Sequence, residues 1–160
     1  MAIAYIGLGS NLGDSPRQLT DALRELTTLP DTTLVAQSSF YRSKALGQQD
    51  QPDYINAAAR LETSLPAAVL MQELLRIERQ YGRVRGNERW QARTLDLDLL
   101  LYDQKQITSA DLVVPHPEIA KRNFVLMPLA EIMPDPAIPG LGRVTDMLDK
   151  IGRADIEKID

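Results

Sequence analysis

Two aspartates alternating with leucines in Arg93-Thr94-Leu95-Asp96-Leu97-Asp98-Leu99-Leu100-Leu101 offer the clearest chemistry in this chain. The alternation has the two-residue period of a β-strand. Asp96 and Asp98 then share one face, with Cα atoms about 6–7 Å apart, and Leu95, Leu97 and Leu99 share the other. A carboxylate buried without a partner loses its charge or gains a counter-ion. Mg²⁺ suits such a pair, because it takes one or two carboxylates and completes its shell with water and phosphate oxygens. The same pattern also fits an amphipathic edge strand carrying two solvated aspartates.

Arginines precede that strand. Between Arg76 and Arg93 there are six of them against Glu78 and Glu88, a local balance of +4 in a chain of net charge −4. The segment Arg83 to Arg93 also holds the single tryptophan, Trp90. Forked guanidinium groups match phosphate oxygens and an indole stacks on a flat ring, so the segment reads as a phosphate-binding loop or as a solvated charged loop. His116, the only histidine, is held between Pro115 and Pro117. One histidine cannot build a three-histidine zinc site, so phosphate contact or hydrogen bonding suits it better than general-base work. Arg122 and Phe124 form a further cation-plus-aromatic pair, and Tyr54 and Asn56 alternate on one strand face; each also has a core-packing explanation. Gly7-Leu8-Gly9-Ser10-Asn11-Leu12-Gly13 approaches a dinucleotide fingerprint, but its last glycine falls one residue late and no Gly-Lys-Ser/Thr is present. A tight strand-to-helix turn is the preferred reading of those glycines.

The elements that must position these residues follow from periodicity. Ala2 to Leu8 is an apolar strand. A helix follows it, capped by Asp14 or Ser15, with Pro16 in its first turn and Leu19, Ala22, Leu23 and Leu26 as its stripe. Strands are expected at Thr33–Tyr41 and Tyr54–Leu61, joined by a polar loop with Gly47 and Pro52 that is expected to be mobile. Pro66 opens a second helix with the stripe Leu70, Leu74, Ile77 and Tyr81, ended by Gly82. The aspartate strand completes a β-α-β-β-α-β order. This predicts an α+β, ferredoxin-like core with a mainly antiparallel sheet and helices packed on it. The proline-rich remainder reads as a short strand pair near Ile107 and Val113, a short helix after Pro128, and a last helix from Val144 to Ile151. The tail beyond Met133 is assigned to packing.

Composition sets the outer bounds. The 160 residues, 44% hydrophobic and 25% charged, fit a single domain over 1–160. Cysteine is absent, which removes disulfides and thiolate metal sites and suits a reducing cytoplasm. No apolar run reaches the ~18 residues of a membrane span, and the start of the chain lacks signal-peptide character. The acidic balance argues against nucleic-acid partners.

Taken together, the motifs resemble the 6-hydroxymethyl-7,8-dihydropterin pyrophosphokinase family of folate biosynthesis. The resemblance is carried by Gly7 to Gly13, Asp50 to Ala58, Ile77-Glu78 with Gly82-Arg83-Val84-Arg85, Arg89-Trp90, Arg93 to Asp98, and Val114-Pro115-His116 with Arg122 and Phe124. It implies ATP-dependent pyrophosphoryl transfer to the pterin hydroxymethyl group, releasing AMP. Asp96 and Asp98 would hold two Mg²⁺ ions, with Arg83 and Arg93 as catalytic cations. The ATP site would involve Glu78, Arg85, Trp90, Leu99, Leu112, His116 and Arg122, with Trp90 closing over it. Tyr54 and Phe124 would sandwich the pterin, Asn56 would read its edge, and Ser43 and Leu46 would complete the pocket. The chain departs from the family pattern at Ser43-Lys44-Ala45, Gln91-Ala92 and Pro117. A monomer is expected. A regulatory paralogue without turnover and an RNA-binding ferredoxin-like module are the rival classes. The intact acidic and arginine positions oppose the first, and acidic rather than aromatic strand residues oppose the second.

Overall fold

The computed structural model describes residues 1–11, 14–43, 53–82, 95–134 and 137–159. A central strand, β1 (Ala2–Ser10), leads into helix α1 (Ser15–Leu26). Asp14 caps that helix, its carboxylate accepting the Arg17 N–H at 3.3 Å, and the expected stripe Leu19, Ala22, Leu23 and Leu26 is buried. Strands β2 (Thr32–Gln37), β3 (Phe40–Ser43) and β4 (Tyr54–Thr63) follow, then helix α2 (Ala67–Ile77) and strand β5 (Asp96–Tyr102). The remainder holds the pair β6 (Ile107–Thr108) and β7 (Val113–Val114), helix α3 (Asn123–Ile132), the pair β8 (Ala137–Ile138) and β9 (Gly142–Arg143), helix α4 (Val144–Ile151) and strand β10 (Ile156–Ile159).

All strand pairings are antiparallel among the described residues. Strand β1 lies between β4 and β5, β4 carries both β2 and β3 on its other edge, and β10 extends the sheet along β3. The core topology is the β-α-β-β-α-β of the sequence reading, with one correction. The strand expected over Thr33–Tyr41 breaks at Ser38-Ser39. There the Ser38 hydroxyl accepts the Ala58 N–H at 2.8 Å, while the Ser39 N–H turns to Glu131 Oε1 at 2.9 Å. A side chain thus replaces a ladder carbonyl, and serine offers that alternative readily.

The sheet separates two apolar layers. One face packs Ala4, Ile6, Leu8, Leu61, Leu97 and Leu99 against α1 and α2. The other packs Tyr5, Leu100 and Leu101 against Leu126 and Leu129 of α3 and Val144 and Leu148 of α4. Strand β5 feeds both layers by alternation, and a bulge adds one residue to the second. Leu99 pairs with Ile6 and Leu101 with Tyr5, so Leu100 is the extra residue and joins Leu101 on the α3 face.

Further corrections concern helix ends and the tail. Tyr81 does not continue the α2 stripe. It is exposed, and its hydroxyl donates to Glu25 Oε2 at 2.9 Å, because residues Glu78–Gly82 form a π-helical turn that rotates the face. Helix α3 starts before Pro128 rather than after it, and the buried proline sits inside the helix, where it cannot donate to the Phe124 carbonyl. Strands β8, β9 and β10 were not legible in the sequence.

Candidate active site

Two glycines clear the floor of the site. Gly7 and Gly9 lie within β1, not in a turn, so the turn reading is corrected. Gly9 pairs with Asn56 on one side and Asp96 on the other; Gly7 pairs with Ala58 and Asp98. Side chains alternate along a strand, so glycine at both positions bares one patch of the sheet between β4 and β5. A Cβ at Gly9 would stand 2.8 Å from Asn56 Nδ2, and one at Gly7 would stand 3.3 Å from the Leu100 side chain. Helices α3 and α4 cover the rest of this face and stop short of the patch. The result is a cavity of about 610 Å³.

Its walls come from four places: β4 with the end of β3, β5, the start of α3 and the tail. Strand β4 contributes Tyr54 and Asn56, β5 contributes Asp96 and Asp98, and Ser43 closes the end of β3. From the start of α3 come Arg122 and Phe124, with the guanidinium 5.9 Å over the ring centroid. The fourth wall is Ala154–Ile156 of the tail. Asn56 donates weakly to the Leu8 carbonyl at 3.5 Å, whereas its buried Oδ1 has no hydrogen-bond partner among the described residues. A buried acceptor in that state favours a ligand that brings an N–H.

The acidic edge is open and polar. Asp96 is exposed and the Asp98 side chain is 38% exposed, both on the cavity side of β5. His116 Nε2 lies 3.9 Å from Asp98 Oδ1. Two hydrogen bonds aim that ring: the His116 N–H donates to the Leu100 carbonyl at the bulge (3.0 Å), and His116 Nδ1 accepts the Glu118 N–H at 3.1 Å. With Nδ1 accepting from Glu118, Nε2 is the nitrogen that faces the aspartate. Among the described residues no group of three or more His, Asp or Glu side chains is placed to hold a metal ion. Two carboxylates without a full protein cage fit Mg²⁺ shared with phosphate oxygens, and they do not fit a closed structural metal site.

Behind β5, Glu78 supports the edge. It is 5% exposed and accepts the Leu97 N–H at 2.6 Å. The π-helical turn carries Glu78 to that backbone position.

Residues 5–134 match the family model described as 7,8-dihydro-6-hydroxymethylpterin-pyrophosphokinase, most of the chain. The chain belongs to that family. A Haemophilus influenzae 2-amino-4-hydroxy-6-hydroxymethyldihydropteridine pyrophosphokinase is 49% identical over 148 residues, 92% of either chain. A Methylorubrum extorquens protein of the same name is 41% identical over the full length of both. The fold is that of the crystal structure of wild-type Plasmodium falciparum HPPK-DHPS with SDX-DHP, at TM-score 0.74 and 13% identity. That match covers 99% of this chain and 47% of the other, so the pyrophosphokinase chain spans about half the length of that solved relative.

Within this pyrophosphokinase, Ser43, Tyr54, Asn56, Asp96, Asp98, Arg122 and Phe124 all line the one cavity, and His116 stands beside Asp98. Glu78 and Leu99 lie outside that lining: Leu99 points into the α1–α2 core, and Leu112 is half-buried against the same core. Leu46, Arg83, Arg85, Trp90 and Arg93 lie outside the described residues, as does most of the two polar loops around them. Sequence reasoning missed the glycine floor, Asn123 and the tail wall. The floor had a signal, glycine at two positions of period two within an apolar strand. The tail had only Ile156 and Ile159 among polar residues.

Proposed function

We propose that the cavity is the pterin slot and the aspartate edge the phosphate side of an ATP-dependent pyrophosphoryl transfer. The hydroxymethyl oxygen of 6-hydroxymethyl-7,8-dihydropterin attacks the β-phosphorus of ATP. The bond from that phosphorus to the oxygen bridging to the α-phosphate breaks, AMP leaves, and the hydroxyl proton passes to solvent. The observation that carries this reading is the buried Asn56 Oδ1 lacking a donor beside the clear glycine floor. A pterin presents N–H groups along one edge and a flat ring to fill the space. Tyr54 and Phe124 stack on its two faces, and Ser43 and Leu46 are assigned to complete the pocket.

Asp96 and Asp98 are the residues that would hold two Mg²⁺ ions. Bound Mg²⁺ neutralises triphosphate charge and aligns its oxygens. His116 directs its Nε2 toward the same side, and Arg122 adds a cation at the start of α3, both suited to phosphate oxygens. Arg83 and Arg93 are assigned as the catalytic cations, and Arg85, Trp90, Leu99 and Leu112 as nucleotide neighbours. Glu78 acts on that side through the Leu97 backbone. This chemistry needs alignment and charge neutralisation more than covalent help, and a site assembled from strand residues supplies alignment. The chain is further proposed to work as one domain over 1–160 and as a monomer. Among the described residues no helix is long and apolar enough to cross a membrane. The absence of cysteine supports a cytoplasmic setting.

The test is to incubate the protein with Mg²⁺, ATP and the pterin and to resolve the nucleotide products by chromatography. AMP appearing in step with pterin diphosphate is expected. ADP, or no turnover, overturns the reading.

A further inference from the structure

The fourth wall of the cavity lies outside the residues that match the family model, which end at 134. After α4 the backbone turns back through two left-handed residues, Gly152 (φ 85°) and Asp155 (φ 65°), a conformation open to glycine and tolerated by aspartate. Ala154, Asp155 and Ile156 then line the cavity, and β10 continues along the sheet edge.

The segment is tied at both ends to opposite sides of the cavity. At one end the Gly152 carbonyl accepts Asn123 Nδ2 at 3.1 Å, and Asn123 directly precedes Phe124. At the other, Ile156 pairs with Ser43, and the Arg42–Glu157 ion pair closes at 3.0 Å. Ser43 in turn pairs with Tyr54. A continuous path of backbone and side-chain bonds therefore runs from Phe124 through the tail to Tyr54. The two rings stand on elements that also pack directly, α3 against β4 and, through Glu131, against β3; the tail adds a tie at the cavity end of that packing.

We infer that residues 152–159 form a brace that sets the separation of Tyr54 and Phe124, and through it the affinity for the flat substrate but not for ATP. Asn123 and β10 are positioning elements in this scheme. An exposed ion pair such as Arg42–Glu157 contributes little by itself, so the ladder and the Asn123 tie are the parts to break.

The inference rests on the slot being the pterin site, and the experiment separates the two. Equilibrium binding of the pterin and of Mg-ATP is measured on wild type, Tyr54→Ala, Asn123→Ala, Glu157→Pro and the Asn123→Ala/Glu157→Pro double variant, with melting temperatures. Proline at 157 disrupts edge pairing away from the cavity lining, so its effect on the pterin is indirect. Both single variants are expected to weaken pterin binding about tenfold and leave ATP binding within about twofold. The double variant should lose less than the product of the two, because both release the same brace. If wild type fails to bind the pterin, or Tyr54→Ala binds it unchanged, the slot assignment falls. If Tyr54→Ala loses the pterin but Asn123→Ala and Glu157→Pro keep it, or ATP binding falls equally, the brace falls. Should Glu157→Pro not fold, Asn123→Ala alone decides by the same split.

Discussion

At Gly9 a single methyl group would collide with Asn56 Nδ2 at 2.8 Å, and the strand pairing leaves Asn56 little room to retreat. Gly9→Ala is therefore expected to cost about 1–3 kcal/mol of stability by overpacking and to displace the Asn56 amide from the cavity. Calorimetric titration should show a pterin loss of about tenfold or more for Gly9→Ala. Unchanged pterin affinity would mean that Asn56 does not read the substrate. Asp98→Ala removes an exposed-edge carboxylate whose recorded neighbour is His116 at 3.9 Å, so folding should barely notice. Turnover should fall by about 10³-fold or more, with the melting temperature held within a few degrees, if Asp98 is a metal ligand. A variant that keeps its rate, or simply unfolds, refutes that role. Residue types at this scale were legible wherever strand alternation fixes direction, as at Asp96, Asp98, Tyr54 and Asn56. Gly7 and Gly9 were misread because glycine signals both a turn and a cleared strand, and only pairing tells them apart.

Elements gain precision from a few polar contacts that periodicity does not reveal. Glu78 on the π-helical turn takes the Leu97 N–H while almost fully buried. Glu78→Ala strands that donor and should destabilise the fold by about 1.5–3 kcal/mol in urea unfolding. A loss below about 0.5 kcal/mol would show that α2 and β5 dock without it. The docking of α3 on β3 relies on Glu131, which accepts from the Ser39 N–H, the Ser39 hydroxyl and the Tyr41 hydroxyl. Burial works against that carboxylate, but these hydrogen bonds and nearby Lys158 more than offset it and hold its pKa below 4.5. Burial first, then the Glu131 hydrogen bond and charge, push the Tyr41 hydroxyl well above its usual range. A depressed carboxylate stabilises the fold above its unfolded pKa and loses that contribution as pH falls through the folded one. Denaturation followed from pH 6 to pH 2 should thus show an acid limb that flattens in Glu131→Gln. An identical limb in both proteins would remove Glu131 from the account. Helix α1 was legible because cap and stripe agree. The break at Ser38-Ser39 and the turn at Glu78 were not, since each depends on a partner distant in sequence.

As a whole the molecule is a main sheet with unequal covers. Helices α1 and α2 hide one face, while α3 and α4 leave part of the other bare, and that gap is the cavity. A monomer is expected, and sedimentation equilibrium should return 17.8 kDa; a dimer mass would overturn that expectation. The tail was assigned to packing because a four-residue edge strand among polar residues has no local signature, yet its turn supplies a wall. Strand β5 also carries a consequence of its bulge. Upstream of Leu100 the α1–α2 core receives the odd-numbered side chains, and downstream it receives Tyr102. The strand thus keeps one alternation, with Leu100 standing outside it as a spacer. Leu100→Ala should leave a folded protein with a softened core. Deleting Leu100 would keep Leu99 opposite Ile6 and Leu101 opposite Tyr5, so the aspartates, Leu101 and Tyr102 would keep their sides while the bulge is lost. What the extra residue adds is the carbonyl that holds the His116 backbone beside Asp98.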